Sequence, residues 1–287
     1  MLMSVAFFVA NALLVRVLGA QFAVSSWVLS TARFIVGLVL VALPFLPTGR
    51  ATFPALVRNP LLIARGVFGG LGVYVYYVNI EQLGAGRATF LNCTYIAMGA
   101  VLASLFLRER LRAIVVFALA LGLGGVALLT GVSLDLWNLS AADAYALLGA
   151  LFAAIVIVII RKLHERENTA TIFAAQCGWG LLLTVGPTVA HPQAPGWLAL
   201  GLLVVSGLLA GGGQLTMTAG YKILPVAEGS LYQALLPVGI AVGGIAFFGE
   251  RFSPREAAGA FLIVASCVLA ARTRPRLAAG LPAAPAR

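Results

Sequence analysis

Long apolar stretches alternate with short polar connections along the whole chain, and this alternation predicts membrane-crossing helices. A helix rises about 1.5 Å per residue, so roughly 20 apolar residues cross a hydrocarbon core of about 30 Å. Ten stretches fit: Met1–Leu18, Trp27–Leu46, Pro60–Leu83, Ala88–Leu107, Ala113–Thr130, Ala142–Ile160, Thr171–Ala190, Trp197–Lys222, Val226–Phe248 and Pro254–Ala271. The first is apolar except for Ser4, Asn11 and Arg16 and lacks a basic leader and a cleavage site, which predicts a helix and not a signal peptide. Its length only just spans the core, so this helix is short or its start lies upstream. The connections Gly84–Arg87 and Leu224–Val226 predict tight turns between consecutive helices.

The pattern repeats. Residues Gly66–Arg110 recur without a gap as Gly207–Arg251: Gly66, Gly70 and Gly72 match Gly207, Gly211 and Gly213, and Phe106-x-x-Glu109-Arg110 matches Phe247-x-x-Glu250-Arg251. Asn92 pairs with Gln233 and Thr89 with Ser230, so polar groups fall at corresponding depths. Chance similarity between Gly/Ala/Leu-rich helices does not keep both the glycine spacing and the Glu-Arg ending in one register. The chain therefore divides into five-helix repeats at 1–131 and 142–271, followed by a basic Pro/Ala/Arg-rich tail, 272–287, whose composition predicts disorder beside anionic headgroups.

Composition agrees with the pattern: of 287 residues 61% are hydrophobic and 10% charged, with a mean hydropathy of +1.03. Soluble domains carry about 25% charged residues. The net charge of +10 sets orientation and does not point to nucleic acid. With the N-terminus inside, fourteen basic residues face the cytoplasm: Arg50, Arg58, Arg65, Arg108, Arg110, Arg112, Arg161, Lys162, Arg166, Lys222, Arg272, Arg274, Arg276 and Arg287. Only Arg16, Arg87, Arg251 and Arg255 lie outside, and Arg33 falls within the second helix. Both termini are thus expected in the cytoplasm, in a multi-pass protein of the inner membrane. Cys93, Cys177 and Cys267 have no CxxC or histidine neighbour and read as small packing residues.

Five helices is an odd number, so the second repeat enters the bilayer from the opposite side and the repeats are inverted. Inverted halves that exchange slightly different conformations turn an inward-open cavity into an outward-open one, which is alternating access. Ten helices in such a repeat, with a basic residue in the second helix (Arg33) and fourth helices ending in LFLRERL (Leu105–Leu111) and FFGERF (Phe247–Phe252), resemble the EamA family of the drug/metabolite transporter superfamily. The resemblance covers nearly the whole chain and implies carriers of small metabolites, often exporters of amino acids, with a central cavity lined by both halves. Helix 1 departs from it, lacking the usual loop and Trp-Gly-like start.

Matched glycine clusters in helices 3 and 8 point to a site near the midplane, although GxxxG pairs also serve close packing alone. Beside them, Tyr74, Tyr77 and Glu81 share one face of helix 3, and Gln214, Met217, Thr218 and Tyr221 one face of helix 8. Helix 4 adds Asn92 and Tyr95, helix 9 Tyr232 and Gln233. The residues expected to meet substrate are Tyr74, Tyr77, Asn92, Tyr95, Gln214, Thr218, Tyr232 and Gln233, with hydrogen bonds between helices as the competing role for each. Arg33 could draw a substrate carboxylate, with snorkelling or a carbonyl bond as the more ordinary use. Glu109 and Glu250 are expected to hold helix ends, and Arg110 and Arg251 to bridge loops or meet headgroups.

No Asp or Glu lies mid-span, Glu81 and Glu228 being near helix ends, which disfavours proton-coupled export of organic cations. His164 and His191 stand apart from acidic or sulfur partners, so no metal, cofactor or enzymatic machinery is expected. The sequence predicts a secondary carrier, a monomer or homodimer in the lipid bilayer, moving a small amphipathic metabolite such as an amino acid, with export favoured. An importer of a vitamin-like aromatic such as riboflavin, a membrane enzyme and a non-transporting membrane subunit are the alternatives.

Overall fold

The computed structural model describes residues 1–45, 47–48, 54–131, 140–249, 251 and 253–272, and within the helices the side chains of 77, 80, 81, 84–87, 270 and 271 lie outside the description. Glu250, the side chains of Tyr77 and Glu81, and the tail beyond Arg272 therefore fall outside it. The described residues are helical or irregular: α1 (Leu2–Phe22), α2 (Ser26–Phe45), the single turn α3 (Ala55–Arg58), α4 (Pro60–Cys93), α5 (Tyr95–Phe106), α6 (Ala113–Thr130), α7 (Ala141–Leu163), α8 (Thr169–Ala190), α9 (Trp197–Ile223), α10 (Val226–Gln233), α11 (Leu235–Phe248) and α12 (Pro254–Arg272). Among them, 8 segments are long and apolar enough to cross a membrane. Starts are set by local chemistry: the Asn59 side chain accepts the Leu61 N–H ahead of Pro60, Asn168 accepts that of Thr171, and Ser140 and Asp143 form a capping box.

One predicted boundary is redrawn. The chain stays helical through 84–87, where the sequence predicts a turn, and α4 is a single run of 34 residues. That run is not straight. Tyr76 and Thr89 hydrogen-bond through their hydroxyls at 3.2 Å, whereas 13 residues of straight helix would separate them by about 20 Å. Neighbours along α7 give the direction. The early part of α4 runs against it, Phe68 touching Phe152 and Val75 lying at Gly149, whereas α5 runs with it, Gly99 lying at Ile157 and Glu109 at Arg161. The reversal therefore happens inside α4, between Tyr76 and Thr89, a stretch that contains the turn the sequence predicts. In the second half the break at Leu224 and Pro225 is real, because proline supplies no N–H, and Tyr221 bonds Ser230 across it at 3.0 Å. Both halves thus tie their third helix to their fourth with a Tyr to Thr or Ser bond.

The fourth helices carry interruptions that the pattern does not predict, at Thr94 between α4 and α5 and at Ala234 between α10 and α11. Each directly follows or adjoins the polar pair Asn92 and Gln233, and Pro237 removes a donor from the second. Both fourth helices also end on a left-handed residue at matching positions, Arg108 with φ 54° and Gly249 with φ 66°.

Packing pairs α1 with α9 and α11, α2 with α8 and α9, α4 with α7 and α8, α5 with α7, and α6 with α12. Exchanging α1, α2, α4, α5 and α6 with α7, α8, α9, α11 and α12 maps this set onto itself. The contacts are close because glycine permits them. A Cβ on Gly70 would lie 2.9 Å from the Gly180 Cα, and one on Gly259 would lie 2.5 Å from the Leu129 nitrogen. Gly66 faces Trp179 and the Ala175 carbonyl, Gly207 faces Val36, Gly211 faces Leu40 and Gly213 faces Phe8, while Gly72 meets only Phe152 at 3.8 Å. The helices pass through both clusters unbroken, so the glycines serve close approach between helices.

Where the obstacle is backbone it cannot step aside. Gly70→Ala and Gly259→Ala are expected to cost about 1–3 kcal/mol each from overpacking, seen as a lower melting temperature in detergent, and Gly72→Ala to melt like the parent.

Candidate substrate site and inner closure

Among the described residues, none of those expected to meet substrate lines either of the two cavities described below. Tyr74 stacks on Trp27 of α2, ring centroids 4.3 Å apart and planes at 17°. Gln233 is buried and its Nε2 donates to Ser4 Oγ at 2.8 Å, fastening α10 to α1. Thr218 is buried with its hydroxyl unpartnered, Gln214 is buried one turn before it, and Tyr95 packs between the two main apolar clusters. Asn92 and Tyr232 are half-buried beside the kinks, and the Tyr77 side chain lies outside the described residues. Two cavities open elsewhere. One, of about 510 Å³, lies among Phe106, Glu109, Arg161, His164 and Lys222; the other, of about 960 Å³, is an apolar groove between α1 and α11.

Four helix ends meet at the first cavity. Glu109 accepts the Val226 N–H at 2.9 Å and the Arg161 Nε–H at 3.3 Å. Arg161 Nη1 donates to the carbonyls of Tyr221 and Lys222 at 3.1 and 2.7 Å. The carboxylate thus caps the positive end of α10 and the guanidinium the negative end of α9. The helix that Glu109 holds is not the next one in the chain, as its position suggested, but one of the other half. Arg110 and Arg251 are exposed. At the far end of α1, Arg16 lies over the Phe248 ring, 4.3 Å from its centroid.

His164 joins the same closure, its Nε2 lying 2.8 Å from the Thr218 carbonyl. Burial holds its pKa below the ordinary 6.5, against the Thr218 carbonyl, which favours the charged ring.

One charge is not where the sequence predicts. Arg65 was expected among the cytoplasmic charges, yet it is 0% exposed. Its Nη2 donates to Gln176 Oε1 of α8 at 2.7 Å, while Nε and Nη1 have no partner. Gln176, a buried polar side chain midway along α8, is a residue the sequence reading passed over; its isolation within an apolar span was the available signal. Three further polar contacts cross between helices or a helix and the α3 turn: Ser206 with Asn11 at 2.8 Å, Thr31 with Thr188 at 2.8 Å, and Trp179 with the Leu56 carbonyl at 3.1 Å.

An all-helical arrangement of long apolar segments with polar groups turned inward is that of a multi-pass membrane protein. The chain belongs to the EamA-like transporter family, whose profile matches residues 1–131 and 140–272. This family moves small molecules across membranes and is not a family of enzymes. A protein of Pseudomonas aeruginosa named pseudopaline exporter CntI is 28% identical over 217 residues, covering 75% of this chain and 76% of that protein. A Helicobacter pylori protein named an uncharacterized transporter is 29% identical over 176 residues, 57% of either chain. A solved crystal structure of a protein superposes with a TM-score of 0.75 over 93% of both chains at 20% identity, a likeness of fold.

Glu109→Ala removes the acceptor for the Val226 N–H and for Arg161 Nε–H, and an expected loss of about 1–3 kcal/mol is measurable as detergent melting. For His164, a depressed folded pKa means that its contribution to stability is present above 6.5 and lost as pH falls through the lower folded value. Melting temperature should therefore fall from neutral to acid pH, with a smaller fall in His164→Gln.

Proposed function

We propose that the chain is a secondary carrier that exports a small amphipathic metabolite, an amino acid or a close relative of one, by alternating access across the cytoplasmic membrane. The observation that carries this reading is the set of helix contacts that maps onto itself when the two halves are exchanged. Counting the first arm of α4 and α12 with the 8 long apolar segments gives ten spans, and five per half makes the repeats inverted. Two copies related in this way have two equivalent arrangements, one open on each side.

The ends support the same reading. Glu109, Arg161 and His164 close one end of the bundle, where Arg58, Lys162, Arg166 and Lys222 also gather, and this excess of positive charge supports reading that end as cytoplasmic. Both termini then lie inside. Opening this end parts α9 and the α9–α10 turn from Glu109, Arg161 and His164, whose hydrogen bonds are then replaced by water. Export is the direction favoured by the naming of the Pseudomonas relative.

Cells expressing the chain and preloaded with labelled amino acids should release at least one faster than cells without it. The purified chain in proteoliposomes should equilibrate that compound down its gradient with no imposed pH difference. Movement of no compound in either assay refutes the reading, and concentrative movement driven by a pH gradient alone refutes the uncoupled form.

A further inference from the structure

The Arg65 side chain does the reverse of what a cation near a helix end ordinarily does. It lies early in α4, close to the helix start, and helical side chains lean toward the N-terminus, so snorkelling back to the interface is open to it. Instead its Nη1 occupies the space a Cβ on Gly69 would fill, one turn deeper into the bilayer. Gly69 is the position that makes this possible. Only Gln176 reaches the guanidinium, through Nη2, and Nε and Nη1 are buried without a partner.

A second arginine, Arg33, leaves its helix at the same depth. Trp27 of α2 stacks on Tyr74 of α4, and Phe34 of α2 presses on Gly180, which also receives Gly70. Helices α2 and α4 are therefore antiparallel, with Arg33 level with Gly69 and Gly70. Among the described residues no carboxylate pairs with either arginine. A fully buried guanidinium with two unpartnered nitrogens and no counter-ion, and a half-buried arginine level with it on the neighbouring helix, form an arrangement completed by an anion. The Trp27–Tyr74 stack lies one helical turn farther along and offers an aromatic wall.

From this we infer that Arg65, held by Gln176 and aided by Arg33, binds the carboxylate of the transported compound, the substrate class being small carboxylic acids with an apolar or aromatic body. The inference rests on the carrier reading and names the substrate's charge. Because Arg65 is enclosed by α2, α4 and α8, the ligand reaches it when these helices part, as in the open states of a carrier. Arg33 meets the same anion from α2.

The test reads binding separately from transport. The full chain in nanodiscs is melted with the common amino acids and phenylacetate, each against its uncharged amide, and with inorganic phosphate at matched ionic strength. At least one carboxylate should raise the melting temperature and its amide should not. Arg65→Met and Gly69→Ala, the latter pushing the guanidinium aside, should weaken that response about tenfold or more. Gln176→Glu builds in a carboxylate at the guanidinium and should abolish the response in a folded protein, which decides the matter even where Arg65→Met fails to fold. The inference is overturned if no carboxylate stabilises the parent, if the amide or phosphate does so equally, or if Gln176→Glu binds as the parent does. Efflux of a neutral or cationic compound with no carboxylate response overturns it and leaves the carrier standing. Carboxylate binding without movement of any compound supports it and removes the carrier.

Discussion

In a hydrocarbon solvent no water completes an unpaired polar group, and this constraint orders the whole molecule. Backbone donors are consumed within helices, and side-chain donors must find partners on neighbouring helices or face a cavity. Ser206 with Asn11, Gln233 with Ser4, and Thr31 with Thr188 meet that demand, each joining one half to the other. Close approach is the second requirement, since lipid tails are as apolar as leucine and give helices little reason to associate except good contact. Gly70 against Gly180 and Gly125 against Gly259 supply it. Polar bonds and glycine contacts thus select which helices pair, and the pairing is symmetric.

Much of this was legible in the chain. Apolar runs of membrane-crossing length locate the helices, and the matched glycines and Glu-Arg endings mark corresponding elements. The reversal in α4, between Tyr76 and Thr89, spans the tight turn predicted at Gly84–Arg87, although the run from Pro60 to Cys93 is helical throughout. The kinks at Thr94 and Ala234 were not legible. An interruption of one residue leaves an apolar run unchanged, and only Pro237 hints at it.

The site was less legible, for a physical reason. A polar residue in an apolar span signals that it faces inward but not whether its partner is another helix or a substrate. Gln233 is bonded within the protein, whereas Thr218 holds an unpartnered hydroxyl on an equally buried surface. Arg65 misleads in the opposite direction. Its place near the start of α4 resembles a surface charge, and only the inward turn of its side chain over Gly69 reveals a buried cation. Glu109 shows a further limit, because it caps a helix that comes more than a hundred residues later in the chain.

Symmetric halves and a closure built from one end of each make a single claim: the two ends of the bundle open in alternation. Spin labels test it directly, one pair at Arg110 and Lys222 at the end closed by Glu109, proposed as inner, and a second at Gln82 and Arg251 at the opposite, outer end, all exposed positions. Distance distributions in nanodiscs should show two populations for each pair. A shift that lengthens the inner distance, such as Glu109→Ala, should shorten the outer one. Inner and outer distances that stay fixed, or that lengthen together, would contradict the account.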